Sequence, residues 1–387
     1  MEAEKMKIAT EAAQIGLQRD TRTGAVTVPI YQTATFRHPG LGQSTGYDYS
    51  RSGNPTRQAL EEGLAALEGG CRGFAYASGM AAITSLMFLF KQGDHLIVTE
   101  DLYGGSYRLF EKLFQQFGLS FSYVDTSDVE LVRQAVRPNT RALFVESLTN
   151  PLLKVADVEQ LAALCKEREM LCIVDNTFLT PYLLRCLDLG ADITVYSGSK
   201  YLAGHNDTVC GLVAVKDPVL AEQVYFHQNG AGAVLGPQDS WLTVRGIKTL
   251  TIRLDRQQEN ALAIAQWLSL HPQVAKVHYP GLPDHPGHEL MKSRGKGFGA
   301  MIAFEVTEPH LVNTLLMKTR LISFAESLGG VESLITFPAV QTHADIEPET
   351  LKRLGINHLL LRLSVGIEDK DDLVADLAQA FAGGEPK

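Results

Sequence analysis

Leu189 to Lys200 reads LGADITVYSGSK. Its apolar run, Ile193 to Tyr196, suits a buried strand and is too short for a helix. The run leads into two hydroxyl residues, Ser197 and Ser199, and then into a lysine. Lys200 therefore stands at the carboxyl end of a strand, the edge at which open α/β sheets bind their ligands. Upstream, Leu171 to Val174 repeats the pattern and ends in Asp175. One strand ends in a cation and the other in an anion, so a single pocket can hold both. Lysine and aspartate also end strands as plain surface residues, and the pair alone leaves both readings open.

The surrounding chain alternates in the same way. Strands are expected at Gly73 to Ala77, His95 to Thr99, Ser120 to Val124, Arg141 to Glu146 and Val209 to Val215. Helices are expected at Thr56 to Leu67, Ser78 to Phe90, Ser106 to Phe117, Val129 to Val136, Val158 to Arg168 and Pro181 to Leu189. Short apolar strands separated by helices imply an α/β fold with a mainly parallel sheet covered on both faces. After Trp241 the pattern changes. A long helical stretch, Thr243 to Leu268, leads to strands at Gln273 to Tyr279, Gly299 to Val306 and Leu359 to Val365, and to a last helix from Lys370 to Ala382. This predicts a smaller α+β domain. Before Pro55, GLGQSTGYDYSRSGNPT packs poorly against itself and reads as a mobile loop or an arm lying on another subunit. The expected organisation is an arm over residues 1–56, a large domain over 57–250 and a C-terminal domain over 251–387.

The net charge of −9, with no basic run, argues against nucleic-acid and anionic-membrane surfaces. The most apolar stretch, Met80 to Phe90, is far too short to span a bilayer. MEAEKMKIAT lacks the apolar core of a signal peptide, and five cysteines without CxxC spacing suit a reducing cytoplasm.

Other polar residues gather at strand ends. Ala77-Ser78-Gly79-Met80 joins a strand to a helix start, where free amides and the helix dipole favour an anion; a plain N-cap serine gives the same pattern. Tyr103, in DLYGGSYR, either stacks on a flat heterocycle or simply closes its loop. Asn150 follows a further strand. Arg362, inside the apolar LLLRLSVGIED, must find an anion, either a substrate carboxylate or a structural acid. A pyridoxal phosphate site needs such a set: an amine to condense with the aldehyde, and a carboxylate to keep the pyridine nitrogen protonated. No metal is expected, because His285 and His288 in DHPGHE lie in a Pro-Gly turn and His205 in AGHND shapes a loop. A nicotinamide dehydrogenase is disfavoured, since Gly295, Gly297 and Gly299 precede a strand rather than follow one.

Eight stretches, YDYSRSGNPTR, YASGMAA, DLYGGSYR, SLTNPL, VDNTF, YSGSKYLAGH, AESLGGVESL and LRLSVGIED, resemble the cystathionine synthase/lyase family of pyridoxal phosphate enzymes. The resemblance runs from about residue 8 to residue 380. It implies the type I (aspartate aminotransferase-like) fold, with a mostly parallel seven-stranded sheet domain and a smaller C-terminal domain. The cofactor would be pyridoxal 5'-phosphate. Lys200 would link to it covalently and then shuttle protons, Asp175 would pair with its ring nitrogen, and Tyr103 would stack on the ring and serve in acid/base steps. Gly79, Met80, Ser197 and Ser199 would hold the phosphate, joined by Tyr49 and Arg51 of a neighbouring subunit. Asn150, Arg362, Ser327 and Glu326 would bind the substrate, Arg362 through its α-carboxylate, and Ser327 would also help orient Lys200. The family's usual assembly is a tetramer of two tight dimers.

Within the family, Gly105 stands where methionine γ-lyases carry cysteine, and Glu326 where one branch of β-lyases carries tyrosine. STGYDYSR, AGHND and ITFPAVQTHADI are most similar to bacterial cystathionine γ-synthases that accept O-acetylhomoserine. The implied reaction joins an O-acylhomoserine to cysteine, giving cystathionine. A cystathionine β- or γ-lyase on the same residues is the alternative, and a non-catalytic binding protein, which would be expected to lack Lys200 or Asp175, is a third.

Overall fold

The computed structural model describes residues 6–17, 20–341 and 348–383. The last part of the ITFPAVQTHADI stretch, residues 342–346, lies outside them.

Seven strands form the larger sheet: β1 (Arg72–Tyr76), β2 (His95–Thr99), β3 (Ser120–Val124), β4 (Thr140–Glu146), β5 (Leu171–Asp175), β6 (Ile193–Ser197) and β7 (Gly211–Val215). Their order is β1-β7-β6-β5-β4-β2-β3. From β3 across to β6 every pairing is parallel, while β7 runs antiparallel to both β6 and β1. Strands such as β2 and β7 are buried at every residue, which is why their sequences run apolar without alternation. Two apolar cores, one on each face, pack helices against this sheet.

A second sheet of five strands follows: β8 (Val274–His278), β9 (Met301–Val306), β10 (Ser323–Phe324), β11 (Leu334–Thr336) and β12 (Leu360–Ser364). Its order is β10-β11-β12-β9-β8, which puts β12 and Arg362 at its centre. The expected α/β sheet and the smaller α+β sheet are both present. β10 and β11, of two and three residues, are too short to leave a periodic signal.

Three expected helices are broken, each for a visible reason. Ser106 to Phe117 is a short α-turn (Gly104–Arg108), a wide π-turn (Leu109–Leu113) and a tight 3₁₀ turn (Phe114–Phe117). Aromatic packing overrides the helical pattern here: Phe110, in the wide turn, stacks on Phe121 at 5.0 Å between ring centroids and meets Phe144 edge-on at 5.4 Å. In Pro181 to Leu189 only Thr180–Leu183 is helical, because Asn176 Nδ2 donates to the Leu184 carbonyl and Leu184 is extended. Thr243 to Leu268 breaks at Lys248 and Thr249 into the helices Pro237–Ile247 and Leu250–Ser269. Arg253 fills the break, donating to the Gly246 carbonyl at 2.9 Å and to Thr249 Oγ1 at 3.2 Å. A Cβ on Gly246 would sit 2.0 Å from the Ala203 carbonyl, so the break presses directly on the turn that follows Lys200.

The N-terminal stretch holds a helix not anticipated from its sequence, Ile8–Gln14, which buries Ile8 and Ala12. Beyond it, a single bridge, Thr35 to Tyr49, is the regular pairing described between residues 26 and 53, and Val26, Leu41 and Tyr49 are exposed. Among the described residues no helix is long and apolar enough to cross a membrane.

Glu68, at the end of the helix Pro55–Glu68, is fully buried, and neither carboxylate oxygen meets a hydrogen-bond partner of good geometry among the described residues. Burial pushes its carboxyl up to about 8. The folded pKa lies above the unfolded one, so this group's contribution to stability is complete below about pH 4.5 and is lost as pH rises through about 8. Urea unfolding at pH 5 and pH 8 should show the native chain losing stability relative to Glu68→Gln by roughly 1.4 kcal/mol per pH unit. A difference independent of pH would contradict this.

Candidate active site

Parallel strands deliver their carboxyl ends to one edge. β4, β5 and β6 end there in Glu146, Asp175 and Ser197, and the segments that follow carry Asn150, Thr177 and Lys200. All six residues line one cavity of about 750 Å³, closed on its far side by Glu326, Ser327 and Arg362.

Asp175 Oδ1 accepts the Thr177 amide at 3.0 Å and the Thr177 hydroxyl at 2.5 Å. The Thr177 hydroxyl in turn accepts the Ser197 amide at 2.9 Å, which ties the ends of β5 and β6 together. Burial holds the Asp175 carboxyl up at about 6, and no lysine or arginine lies within 4 Å of it among the described residues. A cationic nitrogen entering the cavity is the counter-charge that would restore its ionised form.

Lys200 sits on a turn fixed from both sides. Its amide donates to the Ser197 carbonyl at 3.1 Å, and its carbonyl accepts the Gly204 amide at 2.7 Å. Ser199 accepts the Cys210 amide at 2.9 Å and donates to the Cys210 carbonyl at 3.2 Å, so its proton is engaged within the fold. Behind the turn, Arg253 donates to the carbonyls of Tyr201 and Leu202. On the same helix Gln257 donates to the Gly330 carbonyl, and Asn260 to those of Gly366 and Glu368. One buried polar stripe thus aligns the lysine turn, the Glu326–Gly330 loop and the segment beyond β12.

Lys200 Nζ donates to Ser327 Oγ at 2.9 Å. Ser327 holds φ at 111°, in the left-handed region that favours glycine, a conformation costing about 1–3 kcal/mol. It is kept there by contacts at both its oxygens, since its carbonyl accepts Arg362 Nη2 at 3.1 Å. Burial first, and the Arg362 charge second, lower the Lys200 amine to about 8, against a pull upward from Glu326. At that value about a tenth of the amine is neutral at pH 7, far more than for an ordinary lysine.

Arg362 is 2% exposed and has no carboxylate within 4 Å among the described residues. Nη1 donates to Asn150 Oδ1 at 2.8 Å, while Nε is buried without a partner. Burial draws its pKa down to about 10. A buried guanidinium with neutral partners is a waiting anion site.

At the opposite end Ser78 caps the helix Gly79–Met87 through the Ala81 amide, leaving the Gly79 and Met80 amides without acceptors among the described residues. A Cβ on Gly79 would lie 3.1 Å from Ser197 Cα, so this helix start is pressed against the end of β6. Tyr103, 42% exposed, lines the cavity between the two ends. A Cβ on Gly105 would meet its ring at 2.4 Å. Tyr49 and Arg51 lie apart from this cavity in the single chain, exposed on the arm with the guanidinium 5.8 Å from the Tyr49 ring centroid. Away from the cavity, His288 stacks on Phe298 and His285 accepts the Gly287 amide, so both rings have structural contacts.

Sequence reasoning missed Glu146, Thr177 and the Arg253 stripe. Glu146 ends a strand as Asp175 does, a signal that was present; the stripe serves carbonyls remote in sequence and leaves none. The donor set itself fits pyridoxal phosphate: a buried amine of lowered pKa, a carboxylate without a cationic partner, an aromatic face and a cradle of free amides.

The sequence pattern of the Cys/Met metabolism PLP-dependent enzymes matches residues 9–382. Cystathionine γ-lyase of Bacillus subtilis (strain 168) is 51% identical, covering 97% of this chain and 99% of the relative. Cystathionine β-lyase of Lactococcus lactis subsp. cremoris (strain MG1363) is 49% identical, over 97% and 98%. Cystathionine γ-synthase of Haemophilus influenzae (strain ATCC 51907 / DSM 11121 / KW20 / Rd) is 50% identical, over 97% and 98%. The crystal structure of cystathionine γ-lyase from Lactobacillus plantarum complexed with L-serine superposes with a TM-score of 0.95 at 45% identity, covering 99% of this chain and 100% of that one. The architecture is accordingly the type I fold of pyridoxal phosphate enzymes, and the relatives include cystathionine synthases and lyases at nearly equal distance. The chain belongs to the Cys/Met metabolism PLP-dependent enzyme family, whose cofactor is pyridoxal 5'-phosphate.

Proposed function

We propose that the protein is a cystathionine γ-synthase of methionine and cysteine metabolism, replacing the acyloxy group of O-acetyl-L-homoserine with the thiol of L-cysteine. The observation that carries this reading is the polarity of the cavity. Arg362 offers a guanidinium for one α-carboxylate beside the Lys200 amine. Glu326 and Glu332 line the same cavity, with Asn206 Nδ2 donating to Glu332 at 2.7 Å. Two acids in the same cavity as the arginine suit the ammonium group of a second amino acid, as a joined product such as cystathionine requires.

Bound pyridoxal phosphate supplies an electron sink for the charge left when a substrate carbon loses its proton. Lys200 would hold the cofactor through its aldehyde, Asp175 would face the ring nitrogen, and Tyr103 would cover the ring. The Gly79 and Met80 amides and the Ser197 hydroxyl would take the phosphate. Ser199, its proton engaged at Cys210, would act mainly by fixing the turn. Tyr49 and Arg51 would reach the phosphate from a neighbouring copy in a dimer that pairs into a tetramer. Arg362 and Asn150 hold the substrate α-carboxylate. Lys200, kept partly neutral by burial, would take the α-proton. A β-proton also leaves, the γ C–O bond breaks and acetate departs; the cysteine sulfur, its thiol proton released to solvent, forms the new C–S bond, and protons return to the β- and α-carbons, the last from Lys200.

The near-equal similarity to a γ-lyase and a β-lyase favours a second reading, C–S cleavage of cystathionine on the same residues. Product analysis of the holoenzyme separates the two. O-acetylhomoserine with cysteine should yield cystathionine and acetate in equal amounts, faster than cystathionine alone yields pyruvate or 2-oxobutyrate. The reverse ranking would establish the lyase.

A further inference from the structure

Glu146 is a cavity-lining carboxylate to which the mechanism above gives no work. It ends β4 directly beside Asp175 in the strand register and is 6% exposed. Its two oxygens are divided between two loops: Oε1 accepts the Tyr103 amide at 2.8 Å, and Oε2 accepts the Asn150 amide at 3.1 Å. Asn150 Oδ1 accepts from the Arg362 guanidinium. The carboxylate therefore touches both the loop carrying the ring-facing tyrosine and the loop that braces the anion-binding arginine, beside a second link between these loops in which Thr149 Oγ1 donates to Asp101 Oδ2 at 2.6 Å.

We propose that Glu146 is a positioning residue that sets the substrate-carboxylate site by locking the Asn150 loop to the Tyr103 loop. The proposal rests on the reading of Arg362 and Asn150 as the substrate-carboxylate site. Its physical basis is the geometry of a single planar group. A carboxylate has two acceptor oxygens and no donor, so it satisfies two backbone N–H groups at a fixed spacing. Each oxygen takes one backbone N–H from a different loop, so this one side chain fixes the spacing of the two loops on the cavity side. Its setting is electrostatically demanding: Asp175 on β5 and Asp101 after β2 face it with like charge, while Lys200 and Arg362 lie across the cavity. Burial first, then Asp175, raises the Glu146 carboxyl well above the usual range, partly offset by the two amides. A position that tolerates this cost is held by what the two amide bonds achieve.

Glu146→Gln tests the proposal, because the amide keeps one acceptor and turns an N–H₂ toward the other backbone donor. The native holoenzyme, Glu146→Gln, Asn150→Ala and the double variant are compared after desalting. Cofactor absorbance, a readout independent of turnover, should be retained in Glu146→Gln, since Lys200 is untouched. KM for O-acetylhomoserine should rise about tenfold or more, with kcat changed less, as expected when a buried backbone N–H loses its acceptor. Added to Asn150→Ala, the same change should raise KM by less than about twofold, because both act through one loop. Should Glu146→Gln fold poorly, Glu146→Asp, which keeps the charge but spans the two amides less well, should show the same split. Additive effects on KM, or equal losses in kcat and KM, would overturn the positioning role. An Asn150→Ala variant with unchanged KM would instead overturn the underlying reading of the substrate site.

Discussion

Replacing Lys200 with alanine should lower turnover by at least about 10³-fold, because it removes both the cofactor's attachment and the proton carrier. The amine contacts Ser327 Oγ at 2.9 Å and no carboxylate among the described residues, so its loss breaks no ion pair. The folded pKa of about 8 lies below the usual lysine value. Stability from this group is therefore present above the unfolded pKa and is lost as pH falls through about 8. In cofactor-free protein, Lys200→Ala should gain on the native chain as pH falls from 10 to 7. Steady-state rates, circular dichroism and denaturant unfolding at both pH values check the two halves of the prediction. A variant that is inactive because it is unfolded would not satisfy it.

Arg362→Lys should have the second largest effect, raising KM for the amino-acid substrate and lowering kcat/KM on the order of 10²-fold. The guanidinium is anchored at two nitrogens, Nη1 by Asn150 and Nη2 by the Ser327 carbonyl, while Nε has no partner and the group has no carboxylate within 4 Å among the described residues. Lysine keeps the charge but cannot occupy both anchors and bind an anion in a plane. An analogue without an α-carboxylate should be affected little by the substitution. Equal losses for substrate and analogue would remove the carboxylate from the arginine.

The two residues illustrate how far the sequence is legible. Lys200 and Asp175 stand at the ends of short apolar runs, and a parallel sheet sends such ends to one edge, so local pattern alone brings them together. Arg362 is conspicuous because a buried cation demands a partner, although the cavity it faces appears only in three dimensions. Ser327 is different. It is legible only through resemblance, since its φ of 111° and its contact with Lys200 bring together a turn braced by Arg253 and a loop braced by Gln257, from a helix that the sequence pattern runs unbroken. The breaks in helices are equally hidden: Phe110 and Asn176 override local periodicity through partners distant in sequence. Tyr49 and Arg51 are legible only through resemblance, since one chain alone gives them no place in the cavity.

The central claim is that Lys200 is the amine on which the chemistry turns. Borohydride reduction of the holoenzyme, followed by digestion and mass spectrometry, tests it most directly. The expected result is one pyridoxyl-modified peptide, carrying the group on Lys200 and absent from Lys200→Ala. Modification of any other lysine, or of none, would contradict the account.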